Sequence, residues 1–421
     1  MLNLIQNISS LCTLSIGHPN YRRGGEMQNI GEIKDGAIIF SDKIQFVGTT
    51  ADAHSYIKQH NLQIDNTIEA SGKTLLPGFC DSHTHVVFAG DRSDEYARRL
   101  RGATYQEIAA EGGGILRTVT ATRNASEGEL ASNGTRLALS ALTYGTTSME
   151  IKSGYSLNLE GELKQLRAIA RIKENLPMNI RSTFLAAHDF PPEYKSDGKV
   201  DKQGYIDYII REMLPAVAKE HLADYCDAFI DEGYYTNEDA RQIFDAAKRY
   251  GISIKTHSDE LADVSAAAFS ADIGAVSADH LLRISDAGIA KLADSNTVAT
   301  LLPATAYFLR AAYAPARKII DGGCIVALAT DCNPGSSMTE NMQLVLSLSV
   351  QNMGMTCEEA LTAATINGAY AMGISDWTGS LAVGKNADFI VTNSGSWTDI
   401  FYHFGVNHVS QVWCSGKRKF F

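Results

Sequence analysis

The sequence predicts an α/β protein in which a (β/α)8 barrel of the TIM type is joined to a small β-sandwich built from both chain termini. Eight apolar, strand-like runs alternate with helical patterns through the middle of the chain. Histidines and carboxylates stand at the carboxyl ends of these runs, where barrels of this type carry their functional groups. Short strand patterns occupy both ends of the chain, whose 421 residues suffice for two domains.

The two termini carry the β patterns. Residues 35–40 and 43–48 alternate around a turn and predict a hairpin inside a β unit that covers residues 1–74. A matching unit covers residues 377–421, with strand patterns at 379–391 and 408–417. Neither end is long enough to form a stable sandwich alone, so we predict that the two pair into one domain.

The barrel is predicted to span residues 75–376. Most of its strands are preceded by an amphipathic segment, and residues 238–250 are a good example, because Gly251 ends their helical pattern. Eight such units favour a closed parallel barrel. The predicted strands are residues 75–85, 146–151, 180–188, 225–231, 252–257, 275–280, 297–302 and 325–331.

Two histidines spaced two residues apart mark the first barrel strand. An apolar run broken by Pro77 and Gly78 leads to His83 and His85. In an extended backbone, residues two apart point to the same side, so both imidazoles can hold one metal ion. Two neighbouring histidines in a loop would be the alternative, and the apolar lead-in together with Asp81 favours the metal site.

Further ligands come from later strand ends. His188, His257, His280 and Asp331 each close a predicted strand, and the carboxyl ends of barrel strands meet at one rim. Three imidazoles, from His83, His85 and His257, with the Asp331 carboxylate suit one divalent ion, Zn²⁺ or Fe²⁺. Such an ion lowers the pKa of a bound water, and the second Asp331 oxygen can take its proton.

Composition narrows the class of protein. The net charge of -11 includes no basic run, which argues against nucleic-acid binding. The first residues lack the pattern of a signal peptide, and no apolar stretch approaches the roughly 20 residues that span a bilayer, so we expect a cytoplasmic protein without membrane contact. Seven cysteines without paired spacing predict free thiols. Strand alternation turns Cys80 and Cys332 away from the metal.

Several stretches resemble the amidohydrolase superfamily and, within it, the enzymes that open the imidazolone ring during histidine degradation. The resemblance covers nearly the whole chain. The ligands alone indicate only the superfamily, whereas Arg92 and the stretches 152–155 and 331–335 are specific to the ring-opening enzymes. The stretches that carry it are residues 90–96, 102–105, 111–115, 150–155, 184–188, 256–260, 277–280 and 330–336.

The resemblance implies a hydrolase of a cyclic carbon–nitrogen bond that converts 4-imidazolone-5-propanoate to N-formimidoyl-L-glutamate. A metal-bound hydroxide would attack the ring carbonyl, and the superfamily suggests a homodimer. The implied metal ligands are His83, His85, His257 and Asp331, and the implied catalytic residues are Glu260, His280 and Asp331. The implied substrate contacts are Arg92, Tyr155, His188, Asn333, Gly335 and Ser336.

Each implied role has a physical reason and an alternative. Arg92 offers a planar fork for the propanoate, although an arginine within residues 91–95 also fits a surface ion pair. Glu260 lies three residues after His257 and can reach the metal, or can be a solvated loop carboxylate. His188 and His280 can donate to a carbonyl oxygen as negative charge builds on it.

The remaining candidates are the turn 333–336, two tyrosines and Lys152. The turn 333–336 can offer backbone amides and side chains to a second anionic group. Tyr155 can donate to oxygens or pack a flat ring, while Tyr105 stays outside the predicted site because most of the 17 tyrosines are structural. Lys152, a residue type that bridges two metals in some superfamily members when carbamylated, is interpreted as part of the substrate-side loop leading to Tyr155, with a single metal.

Two other functions remain open at this point. A guanine or cytosine deaminase, or a hydantoin- or dihydroorotate-type hydrolase, would use a similar ligand set, but a nucleobase has no propanoate for Arg92 to bind. A non-catalytic metal- or ligand-binding protein on a degenerate barrel would be expected to have lost some of the polar residues at the strand ends, and none is missing.

Overall fold

The computed structural model describes residues 1–15, 17, 20–103 and 113–419. Eight parallel strands form one sheet in which spatial order follows chain order. Each of the eight predicted strands is present. We label them β1 (Phe79–Asp81), β2 (Thr146–Lys152), β3 (Asn179–Ala187), β4 (Tyr225–Ile230), β5 (Ser253–Ile254 and Thr256–Ser258), β6 (Ser277–His280), β7 (Val298–Leu301) and β8 (Val326–Leu328).

The sheet nearly closes between β8 and β1. Thr84 and Cys332 form a parallel bridge just beyond the two strands, where the Asp331 amide donates to the His83 carbonyl at 3.0 Å. The His85 amide donates to the Cys332 carbonyl at 2.9 Å. This closure places the first and last predicted ligands side by side and confirms the predicted fold class.

The helices pack around the barrel with their apolar sides inward. The predicted helix 238–250 is observed at Asn237–Arg249, beginning at a capping box between Thr236 and Asp239 and ending before Gly251, whose φ is +74°. The other described helices that follow or flank the strands are Ser93–Leu100, Ile115–Asn124, Glu127–Thr143, Leu159–Asn175, Lys202–Tyr208, Leu214–Lys219, Ala266–Asp272, Asp286–Ala293, Pro303–Leu309, Ala316–Asp321, Met342–Met353, Cys357–Ala363 and Ile366–Ala371.

The termini form two sheets packed face to face. The predicted hairpin is present, because Gly36–Phe40 pairs antiparallel with Ile44–Thr49. Phe40, Phe389 and Trp413 meet between the sheets, with Phe40 edge-on to both other rings. The four-stranded sheet runs Ile44–Thr49, Gly36–Phe40, Asn3–Ile8 and Asn66–Glu69, and the six-stranded sheet runs Lys417–Lys419, Val409–Cys414, Phe389–Thr392, Thr74–Pro77, Ser10–Cys12 and Glu32–Ile33.

The chain crosses from this domain into the barrel later than predicted. Thr74–Pro77 pairs with Phe389–Thr392 and Ser10–Cys12, so residues 75–77 belong to the terminal sheet and only Phe79–Asp81 joins the barrel. Gly78 makes the transition, and a Cβ there would lie 2.1 Å from Thr147 Oγ1. The N-terminal unit also contains a helix, Thr50–Gln59, which the strand patterns did not predict.

Two further expectations concern the chain as a whole. The seven cysteines are all free. Among residues 1–15, 17, 20–103 and 113–419, neither Cys80 nor Cys332 belongs to a group able to hold a metal. In the part of the chain that the structure describes, no helix combines the length and apolar character needed to cross a bilayer.

Candidate metal and substrate site

The four predicted metal ligands converge at the carboxyl ends of the strands. His83 Nε2 lies 3.2 Å from His85 Nε2, and both nitrogens lie within 3.5 Å of Asp331 Oδ1. The His257 ring is 4.5 Å from the His83 ring, and a donor atom of His257 joins those of His83 and His280 within 4.8 Å. All four side chains are buried. Two groups of three ligand side chains therefore share His83: one adds His85 and Asp331, and the other adds His257 and His280.

The hydrogen bond of His83 leaves a nitrogen lone pair directed at His85 and Asp331. His83 Nδ1 lies 2.6 Å from Asp279 Oδ2, which places the proton of the neutral His83 ring on Nδ1. His257 Nδ1 lies 3.0 Å from Asp227 Oδ2. Burial holds the pKa of His83 well below its ordinary value, so the ring is neutral. Facing nitrogen lone pairs repel one another unless a cation lies between them. The donor set of three nitrogens and one oxygen fits a divalent ion.

Asp331 is held by a residue that the sequence did not suggest. Thr305, in the helix after β7, donates its hydroxyl to Asp331 Oδ2 at 2.7 Å, so that Oδ1 faces the histidines. Burial raises the pKa of Asp331 to about 6. Asp331 also has a left-handed backbone, with φ of +53°. The second Asp331 oxygen, which the sequence suggested as a proton acceptor, therefore already accepts one hydrogen bond.

A buried charge cluster lies beneath the metal ligands. Lys152 Nζ lies 2.8 Å from both Glu150 Oε1 and Asp227 Oδ2, and 3.7 Å from Asp279 Oδ2. Lys255 pairs with Glu150 Oε2 and donates to the Ser82 carbonyl at 2.9 Å. All five side chains are fully buried. Two ammonium groups thus face three carboxylates, of which Asp279 lies against His83 and Asp227 against His257.

This cluster corrects the interpretation of Lys152. It ends β2 and points into the barrel, where it is not part of the substrate-side loop. Burial lowers the pKa of this ammonium, but Asp227 and Glu150 outweigh burial and raise it above its ordinary value. A lysine held as an ammonium does not form a carbamate, which agrees with a single metal. The available sequence signal was charge at every second residue of an apolar strand, as in Glu150 and Lys152.

Glu260 lies beside His280 on a tightly anchored loop. Its Oε2 is 3.5 Å from His280 Nδ1. Asp231, directly after β4, accepts the amides of Glu260, Leu261 and Ala262 at 2.7–3.0 Å. Burial, reinforced by the charges of Asp331 and Asp231, raises the pKa of Glu260 to about 8. A carboxyl with such a pKa can both hold and release a proton near neutral pH.

A cavity of about 320 Å³ opens beside these groups. It is the space into which a small substrate would fit. Glu260 lines it, and so do all six residues implied as substrate contacts, namely Arg92, Tyr155, His188, Asn333, Gly335 and Ser336. Tyr105 lies outside the residues that the structure describes.

Arg92 reaches this cavity across Gly335. The Arg92 Nε donates to Glu95 Oε2 at 2.9 Å, so the guanidinium is both part of an ion pair and exposed to the cavity. A Cβ at Gly335 would lie 2.4 Å from Arg92 Nη1. Gly335 therefore contributes by leaving room for the guanidinium.

The turn 333–336 is organised by its own first residue. Asn333 Oδ1 accepts the amides of Gly335 and Ser336, each at 2.8 Å, and its Nδ2 donates to the Asp331 carbonyl at 2.7 Å. The backbone amides are thus occupied and do not form the anion-binding loop that the sequence suggested. The turn instead fixes Asp331 and the cavity wall.

His188 has a fixed ring orientation. Its Nδ1 lies 3.1 Å from the Gly154 carbonyl, which only accepts, so Nδ1 is the donor. Burial lowers the pKa of His188 to about 3, and the neutral ring then presents Nε2 as an acceptor. This reverses the donor role expected from the sequence. Gly154 has a φ of +105°, and a Cβ there would lie 2.8 Å from the Leu185 carbonyl.

The barrel, the terminal β domain and the clustered histidines and aspartate define the class. The chain belongs to the amidohydrolase family, whose family model matches residues 74–419.

Within that class it belongs with the imidazolonepropionases. It is 45% identical over 415 residues to the imidazolonepropionase of Porphyromonas gingivalis, covering 98% of this chain and 96% of that protein. Identity to the imidazolonepropionase of Alkaliphilus oremlandii is 43% over the same shares of both chains. The counterpart from Geobacillus thermodenitrificans is 47% identical over 352 residues, or 84% of this chain and 82% of that protein.

Solved structures share the fold at low identity. An atrazine chlorohydrolase from Arthrobacter aurescens, complexed with zinc, superposes with a TM-score of 0.72 at 16% identity, covering 99% of this chain and 94% of that chain. An adenosine deaminase from Xanthomonas campestris with bound zinc gives 0.71 at 18% identity, covering 99% and 92%. These likenesses establish the architecture alone.

Proposed function

We propose that this protein hydrolyses 4-imidazolone-5-propanoate to N-formimidoyl-L-glutamate, the ring-opening step of histidine degradation. The observation that carries the proposal is a set of ligand side chains, in which His83 groups with His85 and Asp331 and also with His257 and His280, beside a cavity that presents Arg92. The first set suits a hydrolytic metal, and the arginine suits a substrate with a carboxylate. The identity to imidazolonepropionases over nearly the full chain supports the same substrate.

We propose that these four residues hold one divalent ion, Zn²⁺ or Fe²⁺. Two zinc-containing structural neighbours and the nitrogen-rich donor set support zinc, and iron accepts the same ligand types. When bound, such an ion supplies Lewis acidity and lowers the pKa of a coordinated water. The chain's own residues do the rest.

The residues around the ion bind the substrate and transfer protons. Arg92 binds the propanoate and fixes the ring. His280 polarises the ring carbonyl oxygen, and Glu260 accepts a proton and delivers it to the departing ring nitrogen. His188 Nε2 accepts a ring N–H, and Tyr155 packs beside it, with ring centroids 5.4 Å apart. Because Thr305 occupies Asp331 Oδ2, Glu260 is the proton carrier in this scheme.

The test is an assay with freshly prepared 4-imidazolone-5-propanoate after chelation and after readdition of Zn²⁺ or Fe²⁺. Activity should depend on the metal, and His257→Ala or Asp331→Ala should abolish it together with metal content measured by mass spectrometry. His54→Ala, on the exposed helix Thr50–Gln59, is the matched control and should keep both. Substantial metal-dependent turnover by His257→Ala would contradict the assignment.

The same samples separate the rival activity and the assembly state. A nucleobase deaminase would release ammonia from guanine or cytosine, whereas ring opening of the imidazolone releases none. We also propose a homodimer, which light scattering of the purified protein would test.

A further inference from the structure

The cavity wall carries a second arginine that the reaction scheme does not use. Arg92 precedes the helix Ser93–Leu100 and Arg99 lies seven residues later, two turns along the same face. Both line the cavity. Glu95 lies between them, and its carboxylate, only 6% exposed, pairs with Arg92 Nε at 2.9 Å. The charge of Arg92 is therefore partly matched before substrate arrives.

Arg99 is held by aromatic rings. Its guanidinium carbon lies 5.1 Å from the centre of the Phe308 ring and 5.8 Å from the centre of the Tyr96 ring. The two rings stack at 4.5 Å. Among the described residues, no carboxylate lies within 4 Å of this guanidinium. Aromatic faces orient a cation without neutralising it.

The position of Arg99 joins two distant parts of the barrel. Tyr96 lies in the helix after β1, and Phe308 lies in Pro303–Leu309, the helix after β7. The guanidinium is thus fixed between two units that flank the metal ligands. Of the charged lining residues, Arg92 and Glu95 pair with each other, and Glu260 lies 3.5 Å from His280. Within the part of the chain that the structure describes, the positive charge of Arg99 is therefore not paired with a carboxylate.

We propose that Arg99 is a specificity-determining residue that selects anionic substrates and delivers their carboxylate to Arg92. The inference rests on the proposed function, because it assigns a role in recognising the propanoate. An unpaired cation in a partly enclosed site raises the local concentration of anions and the rate of productive encounter. Its effect is screened by salt, unlike that of a packing residue.

The test compares Arg99→Gln with wild type on 4-imidazolone-5-propanoate and on its neutral methyl ester, at about 0.02 M and 0.5 M salt. For the acid at low salt, we expect kcat/KM to fall about 10- to 100-fold, almost entirely through KM. For the methyl ester, kcat/KM of Arg99→Gln should equal that of wild type. The difference between variant and wild type should shrink at high salt. Arg101→Gln, at the exposed end of the same helix, is the matched control and should behave as wild type.

A second variant separates charge from packing. Arg99→Lys keeps the charge and loses the planar stacking, so it should recover most of the lost kcat/KM. If Arg99→Lys is as impaired as Arg99→Gln, or if the ester suffers the same loss as the acid, Arg99 is a packing residue and the proposal is wrong.

A binding measurement keeps the two proposals distinguishable. Imidazole-4-propanoate lacks the ring carbonyl and is therefore not hydrolysed. Calorimetry of the metal-loaded protein with this compound measures binding affinity alone. Arg99→Gln should weaken its binding about 10-fold or more relative to the methyl ester of the same compound. If wild type fails to hydrolyse the imidazolone, the proposed function fails, while this comparison still decides the role of Arg99. Equal affinities for acid and ester in both proteins would overturn it.

Discussion

At the scale of single residues, the hydrogen-bond partners decide which atoms can react. His188 could donate or accept by its chemistry alone, and the Gly154 carbonyl makes it an acceptor. Asp331 has two chemically equivalent oxygens, and the Thr305 hydroxyl donates a hydrogen bond to one of them. Glu260 Oε2 lies 3.5 Å from His280 Nδ1, and its raised pKa leaves Glu260 as the group that exchanges protons.

The Glu260 carboxyl should make the metal-free protein sensitive to alkali. Its pKa of about 8 in the folded chain exceeds its ordinary value, so the folded state binds the proton more tightly and stability falls as pH rises from about 4.5 to 8. We expect that, in Glu260→Gln, the free energy of unfolding falls by a few kcal/mol less over this pH range than it does in wild type. Urea unfolding of chelated wild type and variant at pH 5 and pH 9 measures it. Identical pH dependence in both proteins would contradict the prediction.

The Thr305 hydroxyl should matter for metal retention. Thr305→Val keeps the shape but removes the donor to Asp331 Oδ2, which frees the carboxylate to rotate. Losing a residue that orients a metal ligand typically weakens metal binding about 10- to 100-fold. Competition with a fluorescent zinc chelator measures this affinity. Thr305→Ser restores the hydroxyl and should restore wild-type affinity; a Ser variant as weak as Val would point to packing instead.

At the scale of elements, the loops after the strands hold the chemistry in place. The loop after β5 carries Glu260 and is held by Asp231 from the end of β4 and by Asp259, which accepts the amides of Val264, Ala266 and Ala267. His280 ends β6 with a φ of +78°. The left-handed backbone and the anchoring hydrogen bonds hold these loops in one conformation beside the metal ligands.

Asp231 should act through this loop without touching substrate. Asp231→Asn leaves one acceptor oxygen where the carboxylate now accepts from four amides, those of Glu232, Glu260, Leu261 and Ala262. We expect kcat to fall about 10-fold or more with metal content unchanged, because Glu260 loses its fixed position. Steady-state kinetics with metal analysis tests this. Asp263→Asn, exposed on the same loop, is the control and should leave kcat unaltered.

At the scale of the whole molecule, the barrel assembles a buried excess of negative charge. Lys152 and Lys255 face Glu150, Asp227 and Asp279, and Asp331 adds one further carboxylate. The carboxyl groups therefore outnumber the ammonium groups by two. A divalent ion would balance this excess, which explains why so many ionised groups are tolerated in an apolar barrel.

Removing the ion should therefore destabilise the fold. At a metal concentration about 1,000 times the dissociation constant, binding contributes about 4 kcal/mol, and a chain of this size should lose several degrees in Tm on chelation. Differential scanning calorimetry before and after chelation, and after Zn²⁺ readdition, measures the shift. His257→Ala should show a low Tm that chelation does not change. An unchanged wild-type Tm would contradict the charge argument.

How far the sequence leads can be judged from individual residues. The eight strands and the convergence of His83 with Asp331 follow from local patterns, because strand periodicity and the rule that parallel strands end at one rim need no knowledge of neighbours. The boundary between the terminal β domain and the barrel lies at Gly78, three residues later than predicted. An apolar strand has the same sequence pattern in either sheet, so the pattern does not show to which sheet residues 75–77 belong.

What the sequence determined is thus the barrel, the terminal β domain and the set of residues that meet at the rim. Only the tertiary structure decided the pairing of Lys152 with Asp227, the grip of Thr305 on Asp331, and the occupation of the 333–336 amides by Asn333. The physical reason is that periodicity fixes the face on which a side chain lies, whereas hydrogen bonds and ion pairs depend on which distant side chains share that face.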